Sequence, residues 1–365
     1  MPHGQSTTTL KKSISKEMNK IEIKTWQDDF RFALKNIEQV NKFFDLNIPQ
    51  MPYDIVIPYN LALRIKEGGL KSILWKQFIP SADELGDIQS HGQEDPIGDK
   101  VHSKVGAIVH RYRNRVLFFP TTVCPVICRY CFRKNELSSN DDIFKQNFEK
   151  TKSYILEHPE IEEVIFSGGD PLMLSNERLE FYLEEFSKIT QIKYLRLHTR
   201  TPIILPLRLD DDFMALIKNF SERFETLSMA IHVNHCDEID SNVAQALEKL
   251  SLTHHLNLLS QTVLLKGIND NETDLINLFR NINKFTIRPY YLHHPDRVKG
   301  AMHFQIDIPT GRKIFANLRS QLPGWLLPTY ILDIPGGHGK QSIFNPEAID
   351  FTGKVLNIKG KLIRI

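Results

Sequence analysis

The chain has no excess of either charge sign. Forty-six Lys and Arg stand against 44 Asp and Glu, a formal charge of +2 over 365 residues, so no net electrostatic argument favours nucleic acid or an anionic membrane surface. No apolar run approaches the ~18 residues a membrane span needs, and the first residues lack the apolar core of a secretory signal. Four cysteines are too few for a disulfide scaffold at this length. With 41% apolar and 25% charged side chains, disorder and coiled coil are also excluded. These absences leave a globular protein, expected in the cytoplasm, with small-molecule partners, no nucleic acid and no membrane.

Composition and periodicity divide the chain into four stretches. Residues 1–24, rich in Ser, Thr and Lys, are expected to be a flexible tail. Residues 25–108 carry apolar side chains at helical spacing (Trp26, Phe30, Ala33, Ile37) and then a polar stretch, Pro80 to His102, expected to wrap as a loop. Residues 109–305 form the core. Residues 306–365 hold a helix over Gly311–Leu322, a Gly-rich loop over Asp333–Lys340 and terminal strands in Val355–Ile365, a hairpin suited to covering an edge or pairing with a second copy.

Within the core six apolar or β-branched runs alternate with helical patterns: Val116–Val123, Glu163–Ser167, Tyr194–His198, Leu227–Val233, Leu256–Leu265 and Thr286–Leu292. Such alternation predicts βαβ units and a parallel sheet. Six units suit an α/β fold of partial (β/α)6 barrel type, with helical N-terminal and small C-terminal extensions; a doubly wound open sheet is the alternative. Polar residues gather just after the runs, where parallel folds carry their sites.

Three of the cysteines, Cys124, Cys128 and Cys131, fall on one such loop, while Cys236 stands alone and reads as a buried structural thiol. Three thiolates on one turn suit an iron–sulfur cluster with one iron left open. A zinc knuckle completed by a nearby His, or unliganded buried cysteines, are the plainer alternatives. After the second run, Gly168-Gly169-Asp170 offers backbone amides that a ligand can approach and a carboxylate that can accept from an ammonium; it is also an ordinary turn composition. Lys340 ends a Gly-rich loop. Ile334 and Gln341 occupy positions where a phosphate-binding loop needs Gly and Ser or Thr, so that reading fails and a lysine presented to an aldehyde, or a solvated surface lysine, remains.

Cys-x3-Cys-x2-Cys with Tyr130 just before the last cysteine resembles the radical S-adenosylmethionine (SAM) superfamily, and Phe166–Leu172 resembles its glycine-rich segment. Further ordered matches resemble the lysine 2,3-aminomutase family, including its short members that make β-lysine for elongation factor P. They are His110-Arg111-Tyr112 with Arg115, His198-Thr199-Arg200, His232-Val233-Asn234-His235, Gln261, Tyr290–His293 with Asp296, and Asp333–Lys340. Arg113, commonly Pro in relatives, and His338, usually Gly in the long enzymes, depart from the pattern.

The resemblance implies three cofactors: a [4Fe-4S] cluster on Cys124, Cys128 and Cys131, SAM on its open iron, and pyridoxal 5′-phosphate on Lys340. It assigns cofactor contacts to Arg111, Tyr112, Arg115, Ser167, Gly168, Gly169, Asp170, His198, Arg200, His232, Asn234 and Gln261. Arg111 and Arg115 would take the phosphate. It gives the substrate carboxylate to Arg133 and the distal ammonium of lysine to Asp296 and Asp333, two carboxylates that would repel an anionic side chain. The implied reaction is migration of the lysine amino group from C2 to C3, started by a 5′-deoxyadenosyl radical, with an electron donor of the flavodoxin or ferredoxin type and a possible homo-oligomer. Alternatives are an aminomutase for arginine or ornithine, an enzyme dedicated to elongation factor P, and a non-catalytic metal-binding module.

Overall fold

In the computed structural model, which describes residues 22–105, 107–134, 137 and 148–344 together with the backbone of 354–356 and 362–364, the apolar runs become strands of a single sheet. It contains β1 (Ile108–Tyr112), β2 (Arg115–Thr121), β3 (Glu163–Gly168), β4 (Tyr194–Thr199), β5 (Thr226–His232), β6 (Leu256–Val263), β7 (Arg288–His293), β8 (Thr329–Ile334) and β9 (Gly339–Ser342). The nine lie side by side in chain order. β2 to β8 are parallel, and β1 and β9 flank them antiparallel. The sheet is α/β and barrel-like but unclosed, because β1 and β9 share no ladder.

Alternation along the strands sorts side chains into two sets. Phe118, Phe166, Leu197, Met229 and Leu258 are lateral partners across five strands, and all are buried. This row faces the outer helices. The ring of Phe118 lies 5.2 Å from Tyr182 and 5.3 Å from Phe186 of the helix Asn176–Ser187. Neighbouring positions point the other way, so Ser167, His198, Ala230, His232, Gln261, Val263 and His293 line one interior cleft at the carboxyl ends of the strands.

The connecting helices start where the sequence offers a capping side chain. Ser175, Asp210, Asp240, Asn271 and Asp307 each accept from a backbone N–H in the first turn of the helix that follows, worth about 1 kcal/mol per cap.

Three expectations are corrected. The parallel run does not stop at six strands: Thr329–Ile334 is a seventh, and the stretch read as a loop to Lys340 is a β8–β9 hairpin. Pro80–His102 is not irregular throughout but forms turns at Ala82–Leu85 and Asp87–His91 and a short helix at Asp99–His102. Cys236 is only partly buried. The tail of residues 1–21 lies outside the described residues, whereas the terminal hairpin is present as Lys354–Leu356 paired antiparallel with Leu362–Arg364. Among the described residues no helix is long and apolar enough to cross a membrane.

Candidate active site

The cleft has a cavity volume of about 230 Å³ and is partly open to solvent. Cys124, Cys128 and Cys131 line it together with Ser167–Asp170, His198, Arg200, His232 and Gln261 and with Arg133, Asp296, Asp333 and Lys340.

The cysteine loop is held by the N-terminal extension. Ile127 N donates to Val56 O at 3.1 Å and Arg129 N to Gln77 O at 2.9 Å. Arg129 is buried against Glu84, its Nε donating at 2.8 Å. Of these partners only Glu84 belongs to the stretch expected to wrap. Burial raises the three thiols: Cys124 well up, with Cys131 next as a cause, Cys128 up, and Cys131 to about 12. Three thiolates that line one cleft and are raised by burial need a cationic centre to offset their charge, so the donor set fits a metal cluster.

Gly168 and Gly169 are required by packing. A Cβ on Gly168 (φ +102°) would stand 2.8 Å from Thr121 O, and one on Gly169 would meet the Thr122 carbonyl carbon at 2.6 Å. The Gly169 and Asp170 amides donate to Thr121 O at 2.9 Å and Val123 O at 2.8 Å. The segment therefore extends the β2–β3 pairing into the cysteine loop, and those amides are engaged. Asp170 is likewise occupied: its carboxylate accepts from Thr199 Oγ1, Arg200 N, Thr201 N and Leu172 N at 2.7–3.0 Å. It organises the turn after β4, so the expectation that it waits for an ammonium is corrected.

Beneath the cluster side lies a buried polar network. Arg200 donates to Glu238 at 2.7 Å, to Gln77 at 3.1 Å and to the Tyr130 hydroxyl. Asn234 Nδ2 donates to the same hydroxyl at 2.7 Å and to Gln77 at 3.0 Å, and His232 Nε2 lies 3.1 Å from Tyr130 Oη. Tyr130 thus does more than shield, and Asn234 and Arg200 position the cysteine loop. Burial keeps His198 and His232 neutral by lowering both well below the usual imidazole range.

Around Lys340, cations and carboxylates are interlocked. Lys340 Nζ donates to Asp333, and Arg111 donates to the other oxygen of that carboxylate at 3.1 Å. Arg111 also donates to Asp99 at 2.8 Å and to Ile97 O at 2.8 Å, and Arg133 donates to the second oxygen of Asp99. Tyr112 Oη accepts from Lys340 N at 2.7 Å. Asp99, buried at the start of the helix Asp99–His102, was not anticipated from the sequence. A Gly98 Cβ would come within 2.6 Å of the Gly336 carbonyl carbon, so Gly98 lets that short helix sit on the Gly-rich hairpin.

Of the expected phosphate pair, Arg111 bonds Asp333 beside Lys340 and the Arg115 guanidinium stacks 3.9 Å over the Tyr112 ring; neither is among the residues that line the cleft itself. Asp296 does line it. Burial, then the nearby Asp333 charge, pushes its carboxyl up to about 7. His293, lowered to about 3 by burial and then by Lys340, has a buried Nε2 without a hydrogen-bond partner among the described residues, as has Arg111 Nε. Buried polar atoms seldom stay unpaired, so this side of the cleft fits a polar group such as a cofactor next to Lys340.

Residues 118–279 match the model of the radical SAM superfamily. The chain is 36% identical over 315 residues to an L-lysine 2,3-aminomutase of Haemophilus influenzae, covering 86% of this chain and 88% of that one. It is 34% identical to an L-lysine 2,3-aminomutase of Escherichia coli K12 (86% and 90%) and 29% identical to that of Clostridium subterminale (90% and 80%).

Proposed function

The chain belongs to the L-lysine 2,3-aminomutase family within the radical SAM superfamily, and from that premise we propose that it converts L-lysine to β-lysine, moving the amino group from C2 to C3. The observation that carries the reading is the convergence, in one cleft, of Cys124, Cys128 and Cys131 with a lysine paired to Asp333.

Membership implies a [4Fe-4S] cluster, SAM and pyridoxal phosphate, which together supply a carbon radical that removes a hydrogen and a conjugated ring system that carries the migrating nitrogen. Cys124, Cys128 and Cys131 would hold three irons and leave the fourth for SAM. Ser167 and Gly168 would border SAM, with His198, His232 and Gln261 across the cleft from them. Lys340 would take the pyridoxal aldehyde, with Tyr112 fixing its backbone and Arg111 and Arg115 on the phosphate side.

Charge assigns the substrate. Arg133 would bind its carboxylate and Asp296 with Asp333 its distal ammonium, which favours a diamino acid over glutamate by several kcal/mol-scale like-charge repulsion. Arg133 is paired with Asp99 and Lys340 with Asp333, so each binding group is already oriented by a carboxylate. The electron comes from a small protein donor of the flavodoxin or ferredoxin type.

The test is anaerobic: reconstituted protein is reduced with SAM and pyridoxal phosphate present and incubated separately with lysine, ornithine, arginine and glutamate. β-Lysine from lysine, with no product from glutamate, is expected. A β-amino acid from arginine alone would replace the substrate, and no product from any of them would refute the reading.

A further inference from the structure

After β5 the chain turns sharply at Cys236–Glu238, outside the cleft. Three side chains with different ligand chemistry meet there. Cys236 Sγ lies 3.9 Å from His235 Nδ1 and 3.6 Å from Asp237 Oδ1, and His235 Nδ1 lies 3.5 Å from Asp237 Oδ2. Zinc bonds of about 2.0–2.3 Å at tetrahedral angles place ligand atoms roughly 3.3–3.6 Å apart. The two contacts of Asp237, made through different oxygens, fall in that range and the Cys236–His235 separation lies just beyond it, so the three donors are within a small side-chain adjustment of one face of such a tetrahedron.

A second, independent feature lies behind the histidine. His235 Nε2 is 3.5 Å from Asp274 Oδ1, while the other oxygen of that carboxylate accepts from Asn271 Nδ2 at 2.6 Å. Metal-bound imidazoles characteristically donate their second N–H to a carboxylate that is itself held in place. The tautomer is also set: Asp237 N donates to His235 Nδ1 at 3.1 Å, so Nδ1 carries the lone pair and Nε2 the proton. An ion taking that lone pair displaces one backbone N–H. Access is open, since the Asp237 side chain is 63% exposed while that of His235 is 8% exposed, leaving solvent to provide the fourth ligand.

We propose that His235 Nδ1, Cys236 Sγ and an oxygen of Asp237 form a binding site for a zinc-class divalent ion, oriented by Asp274 and separate from the cysteine cluster of the cleft. Sulfur and imidazole donors select zinc over magnesium or calcium. Binding replaces the thiol proton by the metal and releases it to solvent, with no change of oxidation state. The ion braces the turn whose next residue, Glu238, receives Arg200 beneath the cysteine loop.

The test uses the full-length, cluster-reconstituted protein, incubated with Zn2+ and desalted. X-ray absorption at the zinc edge, which does not see iron, should show one zinc per chain with one sulfur at about 2.3 Å and nitrogen or oxygen neighbours at about 2.0 Å. Cys236→Ser should remove the sulfur neighbour and weaken binding at least tenfold in chelator competition. Asp274→Asn should keep the sulfur and weaken binding about 10- to 100-fold. Failure to retain zinc, oxygen ligands only, or a sulfur shell that survives Cys236→Ser would each overturn the site.

Discussion

Asp333 and Lys340 are direct cross-strand partners in the β8–β9 hairpin, and the register that pairs their backbones also joins carboxylate to ammonium. The lysine is therefore aimed into the cleft by its own hairpin. Lys340→Ala should leave the iron–sulfur absorbance intact, abolish the pyridoxal absorbance and lower turnover by at least about 10³-fold, the order seen when a covalent-catalysis residue is lost. Spectra before and after borohydride treatment check this, because only the wild-type chain should trap the cofactor.

Asp296 gives the site its pH dependence. Its carboxyl rises from 3.8 to about 7 through burial first and the Asp333 charge second, with Asp99 adding to the rise and Lys340 and Arg111 opposing it. Between those two values the folded chain keeps a proton that the unfolded chain has released, so stability falls as pH rises through that window. Lysine needs the ionised form, so its KM should decrease as pH rises through about 7. Asp296→Asn should flatten both trends in denaturant titrations and in KM profiles.

Asp99 should matter to both ligands. Its two oxygens serve Arg111 and Arg133, all three side chains being about nine-tenths buried. Asp99→Ala removes the carboxylate that the buried Arg111 and Arg133 share, Arg111 keeping Asp333, and should cost about 3 kcal/mol of stability. Asp99→Asn should raise the KM for lysine and weaken pyridoxal phosphate binding, read by absorbance titration. Asp99→Glu should recover part of both.

Gly169→Ala tests whether packing places the cysteine loop. The added methyl meets backbone at Thr122 and Val123, and backbone cannot swing aside as a side chain can. The expected result is a folded chain that reconstitutes with less than half the iron and sulfide of wild type although every cysteine is present.

Replacement of Cys124, Cys128 or Cys131 by Ala should each abolish the brown chromophore and SAM cleavage. Cys236→Ser should preserve both. Iron content and 5′-deoxyadenosine release are the measurements.

The fold was readable where period and burial coincide. Runs such as Leu227–Val233 are apolar because both faces of a parallel strand are covered, and their spacing revealed β2 to β7. Thr329–Ile334 escaped because Asp333 and the Pro335-Gly336-Gly337 that follows read as loop, although that strand is buried by its neighbours. The site was legible wherever one residue type is chemically distinctive: clustered cysteines, a lysine after glycines. Asp99 was not, because a single Asp in an acidic stretch carries no mark of the two arginines that reach it, one 12 residues later and one 34. Asp170 and the glycines were found for the wrong reason. Sequence shows that amides and a carboxylate are available, and only geometry shows that Val123 and Thr199 already use them.

The margins of the sheet, β1 and β9, meet through ions and one phenol. Arg111 and Tyr112 of β1 reach Asp333 and the Lys340 amide of the last hairpin. Because these contacts are ionic and phenolic rather than a strand ladder, the same Asp333 and Lys340 that line the cleft also tie the two ends of the sheet together.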